Sequence, residues 1–104
     1  MRRAARTDNT HASMARELQQ VGFCVVHTHT LGSGFPDLLI SRNGVWALVE
    51  AKTPKGRKTA LERRSADQIE WHSKAKGPII TAYSAVEVLY EFKLLLKRRE
   101  AWAL

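Results

Sequence analysis

The alternation of hydrophobic and polar positions along the chain predicts seven elements in the order α-β-β-β-α-β-α. Polar side chains at residues 8–10 can cap a first helix, which is predicted to end at Gly22. Its apolar positions form one stripe, at Met14, Leu18 and Val21. Residues 23–29 are rich in β-branched side chains and therefore predict a strand.

The strongest local pattern is a hairpin in the middle of the chain. Two apolar runs, residues 37–41 and 45–51, are separated by a turn that contains Asn43 and Gly44, and Asn-Gly is the best short hairpin signal. With these two residues at the centre of the turn, Asp37 lies opposite Glu50. The face shared with the carboxylates also carries Leu39, Trp46 and Leu48, and the other face carries Leu38, Ile40, Val45, Ala47, Val49 and Ala51.

The second half of the chain predicts a basic loop followed by a helix, a strand and a helix. Residues 53–64 are polar and basic, which is typical of a loop. Residues 65–68 form a capping box that opens a helix to about residue 76. Residues 79–82 predict a short strand, and residues 84–87 repeat the capping-box pattern before a last helix of regular helical periodicity.

Composition adds a partner class to this outline. The 104 residues, 44% of them hydrophobic, suffice for one compact domain, and the single cysteine excludes an internal disulfide. The 17 Lys+Arg against 10 Asp+Glu give a formal charge of +7, which favours a nucleic acid as partner. No apolar run approaches the roughly 20 residues of a membrane span, and no signal peptide is apparent, so we expect no membrane association.

The hairpin brings together groups that are suited to metal-assisted chemistry. Directly opposite residues have Cβ atoms about 4.5–5.5 Å apart, so Asp37 and Glu50 would repel each other unless a cation lay between them. Lys52 points to the same face, about 7 Å further along the strand. Oxygen ligands suit Mg²⁺ or Mn²⁺ better than Zn²⁺. The alternative is an ion pair between Glu50 and Lys52, with Asp37 a turn residue set by Pro36.

These residues resemble a known signature. Pro36-Asp37, a hairpin, and then Glu50-Ala51-Lys52 are similar to the PD-(D/E)XK nuclease motif. The further resemblance, over about residues 16–89, is to the VRR-NUC branch of virus-type replication and repair nucleases. It rests on Gly34 before the Pro-Asp pair, on Lys55-Gly56-Arg57, and on Gln68 and Trp71. Many members have a β-branched residue at Ala51, which points away from the predicted metal.

The resemblance implies an α/β fold with a restriction-endonuclease-like core, in which helices flank a central mixed sheet. It implies one VRR-NUC-like nuclease domain over residues 1–104, and we expect residues 1–7 to be flexible. Asp37 and Glu50 would be metal ligands and Lys52 the catalytic lysine. Glu17, on the first helix, is predicted as a third ligand, although helix surfaces commonly carry glutamates. Gln68 is predicted in the active site, although its side chain has a competing role in the capping box.

The basic loop is predicted to grip the DNA backbone, with an ordinary solvated loop as the alternative. The predicted contacts are Lys55, Arg57, Lys58, Arg63 and Arg64. No third His, Cys or acidic residue stands at a recognisable zinc-site spacing from His27 and His29, so these two are not predicted as metal ligands. Trp46 and Trp71 are interpreted as core residues.

The predicted function is therefore a Mg²⁺- or Mn²⁺-dependent endonuclease that hydrolyses branched or flapped DNA, such as four-way junctions. The resemblance implies a homodimer that acts in phage or prophage replication, recombination or repair. Its setting would be the cytoplasm of a bacterial cell or of a phage-infected host. Two alternatives stay open: an inactive nucleic-acid-binding module of the same fold, and a small basic interaction protein whose last helix is the partner surface.

Overall fold

The elements follow the predicted order in a computed structural model, which describes the backbone of residues 2–103 and the side chains of residues 11–99. Short 3₁₀ turns lie at His29–Leu31 and Leu61–Arg63. The helices and strands are α1 (Arg2–Gln20), β1 (Cys24–His27), β2 (Leu38–Arg42), β3 (Val45–Ala51), α2 (Ala66–Lys74), β4 (Ile79–Ala82) and α3 (Ala85–Ala103).

The four strands form one mixed sheet in the order β1-β2-β3-β4. The first three strands are antiparallel, and β4 runs parallel to β3 after the crossover through α2. Asn43 and Gly44 have φ angles of 55° and 76°, as a two-residue hairpin turn requires, and Arg42 pairs with Val45. The predicted register and the predicted α/β architecture are both confirmed.

One face of the sheet forms the hydrophobic core with α1 and α3. The buried face is the one opposite the carboxylates, and its Leu38, Ile40 and Val49 have no accessible surface. The rings of Phe23 and Phe92 meet edge to face at 4.8 Å between centroids. Because α1 and α3 both cover this face, the opposite face, which includes Glu50, is left to α2.

Two helix boundaries differ from the prediction. The first helix begins at Arg2 rather than at residues 8–10, because residues 2–6 are all arginine or alanine, which are strong helix formers. The second ends at Lys74 rather than near residue 76, and Ala75 is already extended. The helix ends earlier because the chain must be extended where it joins the sheet. The Pro78 carbonyl already accepts a hydrogen bond of 3.1 Å from the Leu48 amide at the start of the β3–β4 pairing.

The interpretation of Trp46 as a core residue is wrong, because its side chain is 55% exposed. The nine-residue helix α2 is too short to cover the whole of its face of the sheet. It leaves an open cleft of about 420 Å³ lined mainly by apolar groups, among them Leu39, Leu48 and Trp71. Trp71 is half-buried and packs edge-on against Phe35 at 4.8 Å. No helix in the described part of the chain is long and apolar enough to cross a membrane.

Candidate active site

Asp37 and Glu50 lie side by side at one end of the β2–β3 hairpin. The Asp37 amide donates to the Val49 carbonyl at 2.9 Å, which continues the ladder one residue beyond β2. The two carboxyl groups are within hydrogen-bonding distance of each other. The sequence-predicted juxtaposition of the two acidic side chains is therefore present in the fold.

The two carboxyl groups have pKa values that are shifted in opposite directions. Burial, followed by the charge of Asp37, raises the pKa of Glu50 to about 9, and Lys52 only partly opposes this effect. Burial also acts to raise the pKa of Asp37, but hydrogen bonds with His11 and Glu50 outweigh it, and the pKa of Asp37 is lowered. Near neutral pH the metal-free pair therefore shares one proton, which resides mainly on Glu50.

Each carboxyl group is anchored through one of its two oxygens. The Ala51 amide donates to Asp37 Oδ2 at 2.8 Å, and Gln68 Nε2 donates to Glu50 Oε2 at 2.7 Å. Glu50 Oε1 is buried and accepts no hydrogen bond from an amide, hydroxyl or cationic group among the described residues. A buried carboxyl oxygen that lacks such a donor and lies beside a second carboxyl group suits a divalent cation once the shared proton has left. Within the same residues no three His, Cys, Asp or Glu side chains are already arranged as a complete ligand set.

Gln68 takes part in both of the contacts that the sequence presented as competing. Its Oε1 accepts a hydrogen bond of 2.8 Å from the Ser65 amide and completes the capping box of α2. Its Nε2 is the group that holds Glu50. One amide can do both because its oxygen accepts and its nitrogen donates. The start of α2 is thereby fastened to the predicted metal ligand.

Gly34 explains how α2 comes so close to the hairpin. Its φ angle is 81°, and a Cβ atom built on it would lie 2.5 Å from the backbone oxygen of Asp67 in the first turn of α2. Only a residue without a side chain fits at this distance. The glycine that precedes the Pro-Asp pair therefore sets the position of Gln68.

A cationic group of side chains lies near the carboxyl pair. Lys52 is half-buried directly after β3, and its amide donates to the Ala82 carbonyl at 2.9 Å. Arg64 Nη1 lies 3.1 Å from His72 Nδ1, which must be the acceptor because a guanidinium only donates. Burial first, and then the charges of Arg64 and Lys52, lower the pKa of His72. Both the lowered pKa and the contact with Arg64 favour the neutral form of His72, a residue that was not anticipated from the sequence.

His11 is the second residue that sequence reasoning missed. Its Nε2 lies 3.3 Å from Asp37 Oδ2, and the residue is only 4% exposed. Its ring lies 5.1 Å from that of His29 between centroids. A signal existed, since His11, Met14 and Leu18 share one stripe of the helix. A search for polar residues on the buried stripe of α1 would have identified His11.

Glu17, the predicted third ligand, is not brought to the carboxyl pair. It is exposed on α1 and lines a different cleft with Pro54 and Tyr83, and no described hydrogen bond or ion pair joins it to Asp37 or Glu50. Residues six positions apart lie about 120° apart around a helix. Glu17 and His11 therefore face different sides, and the role of Glu17 as a ligand stays a prediction.

The basic loop is exposed at its centre and fastened at its end. Lys55, Arg57 and Lys58 are exposed, whereas Arg63 and Arg64 are half-buried. Arg63 donates to the Thr53 carbonyl, and Arg64 Nε donates to the Leu61 carbonyl at 3.1 Å. The Tyr83 hydroxyl donates to the Lys58 carbonyl. These contacts hold the loop beside Lys52 and leave the three exposed cations available for a phosphate backbone.

Comparison with protein families gives a match over nearly the whole chain. The model of the family described as archaeal Holliday junction resolvase (Hjc) matches residues 3–102, which include every site residue described above. The resemblance to the VRR-NUC branch is not confirmed by this match, although the PD-(D/E)XK type of nuclease is. No curated protein and no solved structure gives a significant match.

Proposed function

The chain belongs to the archaeal Holliday junction resolvase family, a nuclease family of the PD-(D/E)XK type, and from this we propose that it is a metal-dependent endonuclease that resolves four-way DNA junctions. The observation that supports the metal site is the pair formed by Asp37 and Glu50. Each carboxyl group is held through one oxygen, and the buried Oε1 of Glu50 accepts no hydrogen bond from an amide, hydroxyl or cationic group in the part of the chain that the structure describes. Mg²⁺ or Mn²⁺ is the cation class that fits such oxygen ligands.

The chain's own residues divide the proposed chemistry among them. Asp37 and Glu50 would hold a divalent cation, which would supply a water of lowered pKa and offset charge on the phosphate. Gln68 orients Glu50 through Oε2. Lys52 presents an ammonium group that orients the attacking water and stabilises the negative charge that develops on the phosphate. Arg64, fixed by His72, and the exposed cations of the loop hold the neighbouring phosphates.

We further propose that the protein is a homodimer, because a four-way junction presents two equivalent strands that two active sites can cut. We propose the cytoplasm as the place where it acts. The support for a second copy is the open face of the sheet, where Trp46 is 55% exposed beside the apolar cleft. The last helix is less suitable, because Val88 and Phe92 are buried in the core of the same chain.

The dimer surface is tested by a pair of charge substitutions and size-exclusion chromatography with light scattering. Trp46→Glu should convert a dimer to a monomer. Val86→Glu is the matched control, because Val86 is 72% exposed on α3 and should leave the mass unchanged. A dimer that survives Trp46→Glu and dissociates with Val86→Glu would move the interface to the last helix.

The nuclease proposal is tested by cleavage of labelled four-way junction, flap, single-stranded and linear duplex DNA with Mg²⁺, Mn²⁺ or EDTA. We expect metal-dependent cutting that prefers the junction and that is abolished by both Asp37→Ala and Lys52→Ala. Lys93→Ala, which removes an exposed lysine on α3, is the control for loss of charge. If the wild type binds the junction and cuts none of the substrates with either metal, the inactive binding module becomes the better description.

A further inference from the structure

His11 makes a buried polar contact for which the proposed chemistry has no use so far. It lies on the stripe of α1 that faces the sheet, near Met14 and Leu18, where an apolar residue would normally stand. Its side chain is 5% exposed, and its one described polar contact joins Nε2 to Asp37 Oδ2. Its Nδ1 is buried without a hydrogen-bond partner among the described residues.

This partnerless nitrogen indicates what the histidine is for. The imidazole nitrogen that faces a carboxylate is a donor. Nδ1 is then left as a buried polar nitrogen without a hydrogen-bond partner among the described residues, which costs stability. The one described polar contact of His11, with Asp37, is therefore the interaction that accounts for a histidine at this buried position.

Each of the two carboxyl groups is held by the protein through one of its two oxygens. On Glu50, Gln68 occupies Oε2, and Oε1 accepts no hydrogen bond from a described amide, hydroxyl or cationic group. On Asp37, the Ala51 amide and His11 both occupy Oδ2, which leaves Oδ1 for a cation. Each carboxyl group is thus held by a side chain from a different helix, α1 for Asp37 and α2 for Glu50.

We propose that His11 is a positioning residue of the metal site, whose Nε2–H holds Asp37 Oδ2 and so fixes the orientation in which Asp37 and Glu50 would hold a divalent cation. The inference rests on the proposed nuclease function for its purpose and on the Asp37 contact for its geometry. Residues that orient metal ligands in this way typically account for about 10- to 100-fold in metal affinity or activity.

The test measures Mn²⁺ binding by electron paramagnetic resonance, using the full chain without DNA. His11→Asn, whose amide is too short to reach Oδ2, should weaken Mn²⁺ binding by about 10- to 100-fold. His11→Gln, whose longer amide can donate to Oδ2, should recover most of the loss. His27→Gln is the control, because His27 is exposed and should bind Mn²⁺ as the wild type does. Circular dichroism verifies that each variant is folded.

The same Mn²⁺ sample distinguishes positioning from direct coordination. Pulsed measurements of the wild type should show no nitrogen bound directly to Mn²⁺. A directly coupled imidazole nitrogen that disappears in His11→Gln would overturn the proposal, because His11 would then be a ligand. Wild-type affinity in a folded His11→Asn variant would also overturn it.

The outcome is separable from that of the proposed function. If the wild type cuts junctions in a Lys52-dependent way while His11→Asn cuts and binds Mn²⁺ normally, only the positioning role fails. If His11→Asn weakens Mn²⁺ binding while the wild type cuts no DNA, the positioning role stands and the nuclease proposal fails.

Discussion

A single methyl group at Gly34 should disturb both the fold and the candidate active site. The φ angle of Gly34 is 81°, and an added Cβ would lie 2.5 Å from Asp67 O and 2.7 Å from Asp67 C. Both atoms belong to the backbone of the first turn of α2, which cannot rotate away as a side chain can. The neighbouring residue in that turn is Gln68, whose Nε2 donates to Glu50 at 2.7 Å.

The expected cost separates into two contributions. A side chain in the left-handed region costs about 1–2 kcal/mol, and forcing a methyl group into a closely packed contact costs about 1–3 kcal/mol more. Gly44 has a φ angle of 76° in the hairpin turn but open space around its Cβ position, so Gly44→Ala should show the first cost alone. Replacing glycine also reduces the entropy of the unfolded chain, which is the same in both variants and cancels in their difference.

The assay is urea-induced unfolding of both variants, followed by Mn²⁺ titration of the folded proteins. Gly34→Ala should be less stable than Gly44→Ala by about 1–3 kcal/mol, and only Gly34→Ala should bind Mn²⁺ more weakly, because its clash moves Gln68 away from Glu50. Equal stability of the two variants would refute the reasoning, since the loop rather than α2 would then absorb the clash.

Three further predictions concern pH, the core and the DNA-binding loop. The pKa of Glu50 is raised from 4.5 to about 9, so the folded metal-free protein keeps a proton that the unfolded chain releases. Its stability should therefore fall as pH rises from about 5 to about 9. Thermal unfolding in EDTA should show this pH dependence in the wild type and not in Glu50→Gln. Phe92→Ala removes a buried ring that packs against Phe23, and urea unfolding should show a loss of about 3–5 kcal/mol. If Lys55 contacts a phosphate, Lys55→Ala should reduce the slope of log affinity against log salt by about 0.9 in anisotropy titrations with junction DNA, whereas an unchanged slope would indicate a solvated side chain.

The turn and the strand register of the hairpin could be predicted from neighbouring residues alone. Asn43 and Gly44 dictate a tight turn because both adopt positive φ angles there. Once the turn is set, strand alternation fixes every pair behind it, including the approach of Asp37 to Glu50. These relations lie within one short stretch of chain, and the sequence alone was therefore enough to predict them.

Gln68 shows where a correct pattern was interpreted too narrowly. The capping box is a local feature, and residues 65–68 predicted it. The second bond, to Glu50, exists only because α2 lies across the sheet at the height of that carboxyl group. Treating the two roles as alternatives overlooked that the oxygen and nitrogen of one amide serve different partners.

The sequence by itself determined the order of the elements, the hairpin register and the paired carboxyl groups, because each follows from periodicity or turn chemistry over a few neighbouring residues. Only the tertiary structure decided that His11 and not Glu17 contacts Asp37, that Gly34 admits α2, and that Trp46 stays exposed. These features depend on how helices distant in sequence pack on the sheet. Local propensity does not encode the rotation of a helix or the extent of surface it covers.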